Sequence, residues 1–225
     1  MLPSASTIAD LPDAGPTASR RDLQLGRRTF HLLNGVTIAT AYALLFTHQQ
    51  LVHLFGTIAC LAYIADRVRI HYPEAIERVP WLNRLFFRAE ERLKESAMIP
   101  YAIAVLLTIL TFPKPIAMIA IYTLAIADPL AAVVGIRWGR REVVPDRSVE
   151  GMTAFFVASL AVAATVLALT TTAPWTSVAG VAILIAVAAS LFELVPLRID
   201  DNLTIPLFVG FTSWILCAVF GIAMA

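Results

Sequence analysis

The chain has 225 residues, 59% hydrophobic and 15% charged, with a mean hydropathy of +0.77. That is too apolar for a water-soluble domain, for which about 45–50% apolar and about 25% charged residues are ordinary. A net charge of +1 excludes a nucleic-acid binder held by a basic surplus. The two cysteines, Cys60 and Cys217, lie in apolar runs and do not suit a disulfide scaffold or a thiolate metal site. A polytopic membrane protein remains, and its chemistry must reside in its few charges.

Taken in chain order, residues 1–22 mix Pro, Ser, Thr, Ala and Asp without periodicity and read as a flexible tail. A cleavable signal peptide does not fit, because the polar lead is long and the first apolar run contains His31 and Asn34. Residues 23–225 read as one transmembrane domain. Crossing a hydrocarbon core takes roughly 20 apolar residues in a helix. Seven runs approach this: 29–46, 51–65, 98–112, 115–136, 151–171, 177–197 and 203–225. They lack the alternation of membrane strands, so sheet is not expected. The predicted fold is an all-α membrane bundle of about seven transmembrane helices. Between the second and third runs, residues 81–95 carry Leu82, Leu85, Phe86, Ala89 and Leu93 at helical spacing, with arginines elsewhere on the helix. This predicts a basic amphipathic helix lying on anionic membrane lipids.

The basic residues predict the orientation. In the seven-span arrangement Arg20, Arg21, Arg27 and Arg28 precede the first run, and the loops after spans two, four and six hold all the other basic residues except Lys114. The positive-inside rule then makes the N-terminus and these loops cytoplasmic, with the C-terminus outside, in a bacterial plasma membrane.

An ionisable group at membrane depth costs at least about 2.5–3.5 kcal/mol on insertion scales and calls for a function. Asp128 stands near the end of the fourth run, followed by Pro129, which removes a backbone donor and is expected to kink or break the helix. Ala131, Ala132, Gly135 and Gly139 follow it on one helical face, either as a packing stripe or as an approach lane for phosphate or metal. Arg137, Arg140, Arg141 and Arg147, with Gly139, Ser148, Glu150 and Gly151, could cradle a polyphosphate through guanidinium forks and free amides at a helix start. The arginines also satisfy positive-inside, and Glu150 also suits a helix dipole. Glu193, Asp200, Asp201 and Asn202 offer hard oxygen ligands for Mg²⁺, although Asp201 or Asn202 could instead cap the last helix. Arg27, Arg28, His31 and Gly35 can approach one face of the first helix. His48 and His53 read as interfacial. These clusters fall at one side of the bundle and describe a nucleotide–Mg²⁺ site above a lipid-holding scaffold. Phosphoryl transfer to a lipid alcohol, or nucleotidyl transfer to a lipid phosphate, uses both.

Four motifs occur in the order seen in the polyprenol kinase family, which includes phytol kinases, dolichol kinases and CTP-dependent diacylglycerol kinases and is similar to phosphatidate cytidylyltransferases. They are Arg27-Arg28-x-x-His31-x-x-x-Gly35, Asp128-x-x-Ala131-x-x-x-Gly135-x-x-x-Gly139, Arg147-Ser148-x-Glu150-Gly151 and Asp200-Asp201-Asn202-Leu203-Thr204. The chain resembles that family from about Gln24 to Leu207. The resemblance implies a multi-span kinase moving the γ-phosphate of CTP, or another nucleoside triphosphate, to a lipid hydroxyl with Mg²⁺. It implies Asp128 as the central acid, with Gly135, Gly139, Arg147 and Ser148 along the nucleotide phosphates. Asp200, Asp201 and Asn202 would complete the metal or substrate site. The chain departs from the pattern at Gln24 (an acid is common), Ala127 (Gly), Arg147 (Lys) and Met152 (a small hydroxyl residue). Arginine binds phosphate at least as well as lysine, whereas Met152 removes one contact.

The expected chemistry therefore uses Asp128, Asp200, Asp201, Asn202 and Glu193 toward Mg²⁺, and Arg27, Arg28, Arg140 and Arg147 toward nucleotide. A carboxylate such as Asp128 or Asp201, or else His31, would accept the lipid proton. No GxxxxGK[ST] loop or soluble protein-kinase signature is present. A cytidylyltransferase and a small carrier using Asp128 and Glu193 as relay groups are the rival readings.

Overall fold

The computed structural model describes residues 25–71, 98–197 and 199–223. The tail at 1–22, the amphipathic helix expected at 81–95, and Arg198 lie outside the described residues. Every apolar run forms a helix: α1 (Leu25–Leu44), α2 (His48–His71), α3 (Met98–Thr111), α4 (Lys114–Trp138), α5 (Val149–Thr170), α6 (Trp175–Glu193) and α7 (Asp201–Val219). Four of these, α4 to α7, are long and apolar enough to cross a membrane. Helices α1 and α2 have the length, at 20 and 24 residues, but α1 carries polar groups in its first turns and α2 carries them at both ends. Helix α3 has 14 residues.

Several boundaries differ from expectation. Arg27 and Arg28 lie inside α1 rather than before it, and Arg67 and Arg69 fall within α2 rather than in a loop. Arg137 belongs to α4. Backbone hydrogen bonding continues where an apolar run turns polar, because α-helix propagation gains one bond per residue fixed. A small strand pair also forms where none was expected. β1 (Glu142–Val144) and β2 (Arg147–Ser148) are antiparallel, with Asp146 in the left-handed region at φ 65°. Aspartate tolerates that conformation better than most side chains.

Helix α4 is the axis. Pro115 through Ile121 form a continuous buried run, followed by buried Thr123, Leu124, Ala125 and Ala127. Such a helix, hydrophobic all round, has to be enclosed by others. Helices α5, α6, α7, α3 and α2 follow one another around it, each packed on the next, with α5, α7 and α3 also touching α4. Helix α1 lies on the face of α4 that remains. Among the described residues α1 shares no extended interface with α5 on one side or α3 on the other, which leaves two seams along α4. Outward, Leu61, Ile64, Val157, Leu169, Leu191, Trp214 and Val219 are exposed apolar side chains on several helices, as a lipid-facing surface requires.

Pro129 does not break α4. It has no N–H to donate to the carbonyl four residues earlier, and in a regular α-helix its ring would clash with that carbonyl. The hydrogen bonding slips instead into a π-helical turn at Thr123–Ala127, and the α-helix resumes at Asp128. The expected kink is replaced by a local widening of the helix, a feature frequent at functional sites. This turn packs against α1, α5 and α7.

Candidate functional site at the charged end of the bundle

The end of α4 and the starts of α5, α7 and α1 gather at one end of the bundle, with the end of α6. Helices α4 and α5 cross there almost backbone to backbone. A Cβ added at Gly151 would lie 2.9 Å from the Ala131 carbonyl and 3.3 Å from the Gly135 Cα. One added at Gly135 or Gly139 would meet the Ser148 Oγ at 3.2 or 2.8 Å. The stripe of small residues leading from Asp128 is thus filled by α5, and close helix packing accounts for it.

The Ser148 hydroxyl caps α5 by accepting from the Gly151 N–H at 3.1 Å, a contact worth about 1 kcal/mol. Glu150 Oε2 accepts from the Arg140 backbone N–H at 3.1 Å, and the Val149 N–H donates to the Arg141 carbonyl at 2.9 Å. The loop between α4 and α5 is closed on itself by these bonds. Arg137 lies over the neighbouring Trp138 ring at 5.3 Å.

Arg147 joins three helices. Its Nη2 donates to Asp201 Oδ2 at 3.0 Å, and its Nη1 is ion-paired with Glu193 Oε1. Glu193 ends α6, where the helix dipole disfavours an anion, and its side chain is only 9% exposed. A guanidinium fork is the natural remedy, because it satisfies two carboxylates in fixed geometry. Asp200 is the N-cap of α7, accepting from the Asn202 N–H at 2.9 Å. The cap is therefore one residue earlier than the expected Asp201 or Asn202, and Asp201 is released for Arg147. Among the described residues no three His, Cys, Asp or Glu side chains come together to hold a metal ion. Of the five expected Mg²⁺ ligands, Glu193 and Asp201 are ion-paired with Arg147, and Asp200 caps α7.

Asp128 is half-buried, three residues after Ala125, which touches α1, and three before Ala131, which touches α5. At 100° per residue it falls between those two faces and so belongs to the α1/α5 seam. The antiparallel run of α1 on α4 sets its depth. Thr40 Oγ1 bonds the Tyr122 hydroxyl at 2.7 Å, and Gly35 lies against Ala125. Continued toward the charged end, this register brings Asp128 to the level of His31. Arg28 shares the face of Gly35, two turns nearer the end. The side chain of Arg27 lies outside the described residues.

A residue that the sequence pattern did not single out completes this region. Tyr101 of α3 sets its ring edge-on to His31, with centroids 5.1 Å apart and planes at 67°. Its only sequence signal is an aromatic hydroxyl one turn into an otherwise apolar helix. His48, read as merely interfacial, bonds the Tyr42 hydroxyl at 2.9 Å.

A search of curated proteins finds the uncharacterized protein MJ1137 of Methanocaldococcus jannaschii, 30% identical over 192 residues that cover 84% of this chain and 91% of the archaeal one. The chain belongs to that protein's family. The matched stretch is long enough to take in most of the helices described above. No family model matches the chain, and no solved structure matches it.

Proposed function

We propose that this protein is an integral-membrane phosphotransferase that moves the γ-phosphate of CTP, or another nucleoside triphosphate, to the hydroxyl of a lipid alcohol. The class includes phytol, polyprenol or dolichol, and diacylglycerol. In this reading seven helices span the plasma membrane and the charged end faces the cytoplasm, as the arginines there favour. The observation that carries the reading is the α1/α5 seam. It is floored by the half-buried acid Asp128, which follows a π turn, and it lies at the end of the bundle that bears Arg28, Arg140 and Arg147.

The nucleotide lies at the mouth of the seam. Arg147, Arg140 and Arg28 neutralise the triphosphate, and Arg147 exchanges a carboxylate for a phosphate of the same fork geometry. Mg²⁺ accompanying the nucleotide would be held by Asp128 and would supply charge neutralisation on the phosphates. The lipid oxygen attacks the γ-phosphorus, the bond from that phosphorus to the β,γ-bridging oxygen breaks, and CDP leaves. The lipid proton passes to Asp128 or to His31 at its level.

The test is purified protein with CTP labelled at the α or the γ position and a panel of lipid alcohols and phosphatidate. Label from the γ position should appear in a lipid phosphate, and Asp128→Asn should reduce that transfer at least a hundredfold while the protein stays folded. Label from the α position in a CDP-lipid would make the protein a cytidylyltransferase. No transfer from either position would leave a carrier.

A further inference from the structure

The two carboxylates on Arg147 are not equivalent. Asp201 stands in the first turn of α7, where the helix dipole favours an anion, and its side chain is 45% exposed. Glu193 has neither advantage, being the last residue of α6 and nearly buried. Without the guanidinium, Asp201 is still solvated, whereas Glu193 is stranded, and a stranded buried charge is the costlier of the two. Arg147 therefore has one partner that it gives up easily and one that it keeps.

Each partner has its own nitrogen. Nη1 is paired with Glu193, and Nη2 donates to Asp201 at 3.0 Å. The backbone around this fork is held, because Arg147 pairs with Val144 in the hairpin and Ser148 caps α5. The contact at Nη2 is the one partly open to water on both sides, so a soluble anion can compete for it. A phosphate oxygen accepts from a guanidinium N–H as a carboxylate oxygen does.

We propose that Asp201 is a built-in competitor for the nucleotide's phosphates at Arg147 Nη2. Glu193 is the positioning residue that holds the same guanidinium through Nη1 during the exchange. The inference rests on the phosphotransferase reading and deepens it, giving opposite roles to two carboxylates that the sequence groups together as Mg²⁺ ligands. Nucleotide binding releases α7 from Arg147 and leaves α5 tied to α6. Asp201 holds nucleotide affinity down and takes its place again as the product departs.

Binding without turnover tests this separately from catalysis. The probes are CTP and inorganic tripolyphosphate, each offered with and without Mg²⁺ to the detergent-purified full chain, with affinity read by titration calorimetry. Asp201→Asn should tighten both by about two- to fivefold, the worth of a partly exposed ion pair. Asp200→Asn controls for charge alone. It removes the neighbouring carboxylate while asparagine keeps the cap, and in about 0.15 M salt it should shift affinity less than about 1.5-fold. Glu193→Gln also removes a negative charge, yet it should weaken both probes at least about twofold, because the fork loses its anchor. In turnover that loss should fall on KM for CTP and leave KM for the lipid unchanged, which a general loosening of the fold would not do. Should Glu193→Gln not fold, the comparison of Asp201→Asn with Asp200→Asn decides alone.

Equal effects of those two variants, or tighter binding by Glu193→Gln, would overturn the proposal. So would an Asp201→Asn that weakens CTP only when Mg²⁺ is present, which would make Asp201 a metal ligand. Transfer of the γ-phosphate alongside any of these results would leave the kinase reading standing without the competitor. A wild type that binds neither probe would remove the nucleotide reading and the proposal with it. The expected pattern in a protein that transfers no phosphate would sink the kinase reading and leave the contest at Arg147 standing.

Discussion

Arg147 shows how one side chain can serve packing and chemistry together. It draws Glu193, a carboxylate misplaced at a helix C-terminus, toward Asp201 at a helix N-terminus, and so ties α5, α6 and α7 into one end. Glu193 is nearly buried, whereas the Arg147 side chain is 23% exposed. Removing the cation alone should therefore destabilise the protein by about 2–3 kcal/mol, less than for a fully buried pair. In Arg147→Ala/Glu193→Ala, at least about 1 kcal/mol of that should return, since no anion is left unpaired. Chemical denaturation of the four proteins in detergent closes the cycle, and strict additivity would refute the coupling. Asp128, Arg147, Glu193 and Asp201 were all legible in the sequence, because charge in an apolar chain is costly and conspicuous. Their partners were not. Arg147 and Asp201 lie 54 positions apart, and nothing in linear order distinguishes a carboxylate waiting for metal from one held by arginine. Tyr101 was invisible for the opposite reason, being an unremarkable residue in a membrane helix until its neighbours are known.

At the scale of the element, α4 combines a feature that the sequence announces with one that it does not. Asp128-Pro129 signals trouble in the hydrogen-bond ladder, but a kink, a break and a π turn all relieve the same clash. Packing against α1, α5 and α7 favours the π turn, which keeps the helix in line. Pro129→Ala should restore the missing donor and allow a regular α-helix, rotating Asp128 relative to Ala125 by up to one residue. Stability should be unchanged or higher and phosphoryl transfer at least tenfold lower, a trade between order and activity. Parallel melts and turnover measurements check this, and full activity in a stabilised variant would dissociate the turn from function. The helix positions themselves were readable, since runs near 20 apolar residues leave few alternatives. The hairpin at Glu142–Ser148 was not, because strands of two and three residues carry no periodicity.

For the whole molecule, the uneven distribution of charge is what supports the proposed orientation. The loop between α4 and α5 holds arginines, whereas the turn between α5 and α6 holds none. In a variant with Cys60 and Cys217 replaced by serine, a membrane-impermeant maleimide should label Thr172→Cys on intact cells. Asp146→Cys should react only after permeabilisation. The reverse pattern would put the charged end outside, away from cytoplasmic nucleotide.

Lys114, the one basic residue expected on the far side, donates to the Ala43 and Phe46 carbonyls at 3.2 and 3.3 Å and lies over the Tyr42 ring. It thereby clamps the C-terminal end of α1, a rod about 30 Å long. Along the rest of the rod, Thr40 bonds Tyr122, Gly35 rests on Ala125 and His31 meets Tyr101. The clamp and these contacts together fix the height at which α1 presents Arg28 and His31. In the proposed reading, the far end of the helix thus sets the depth at which chemistry at the charged end is done.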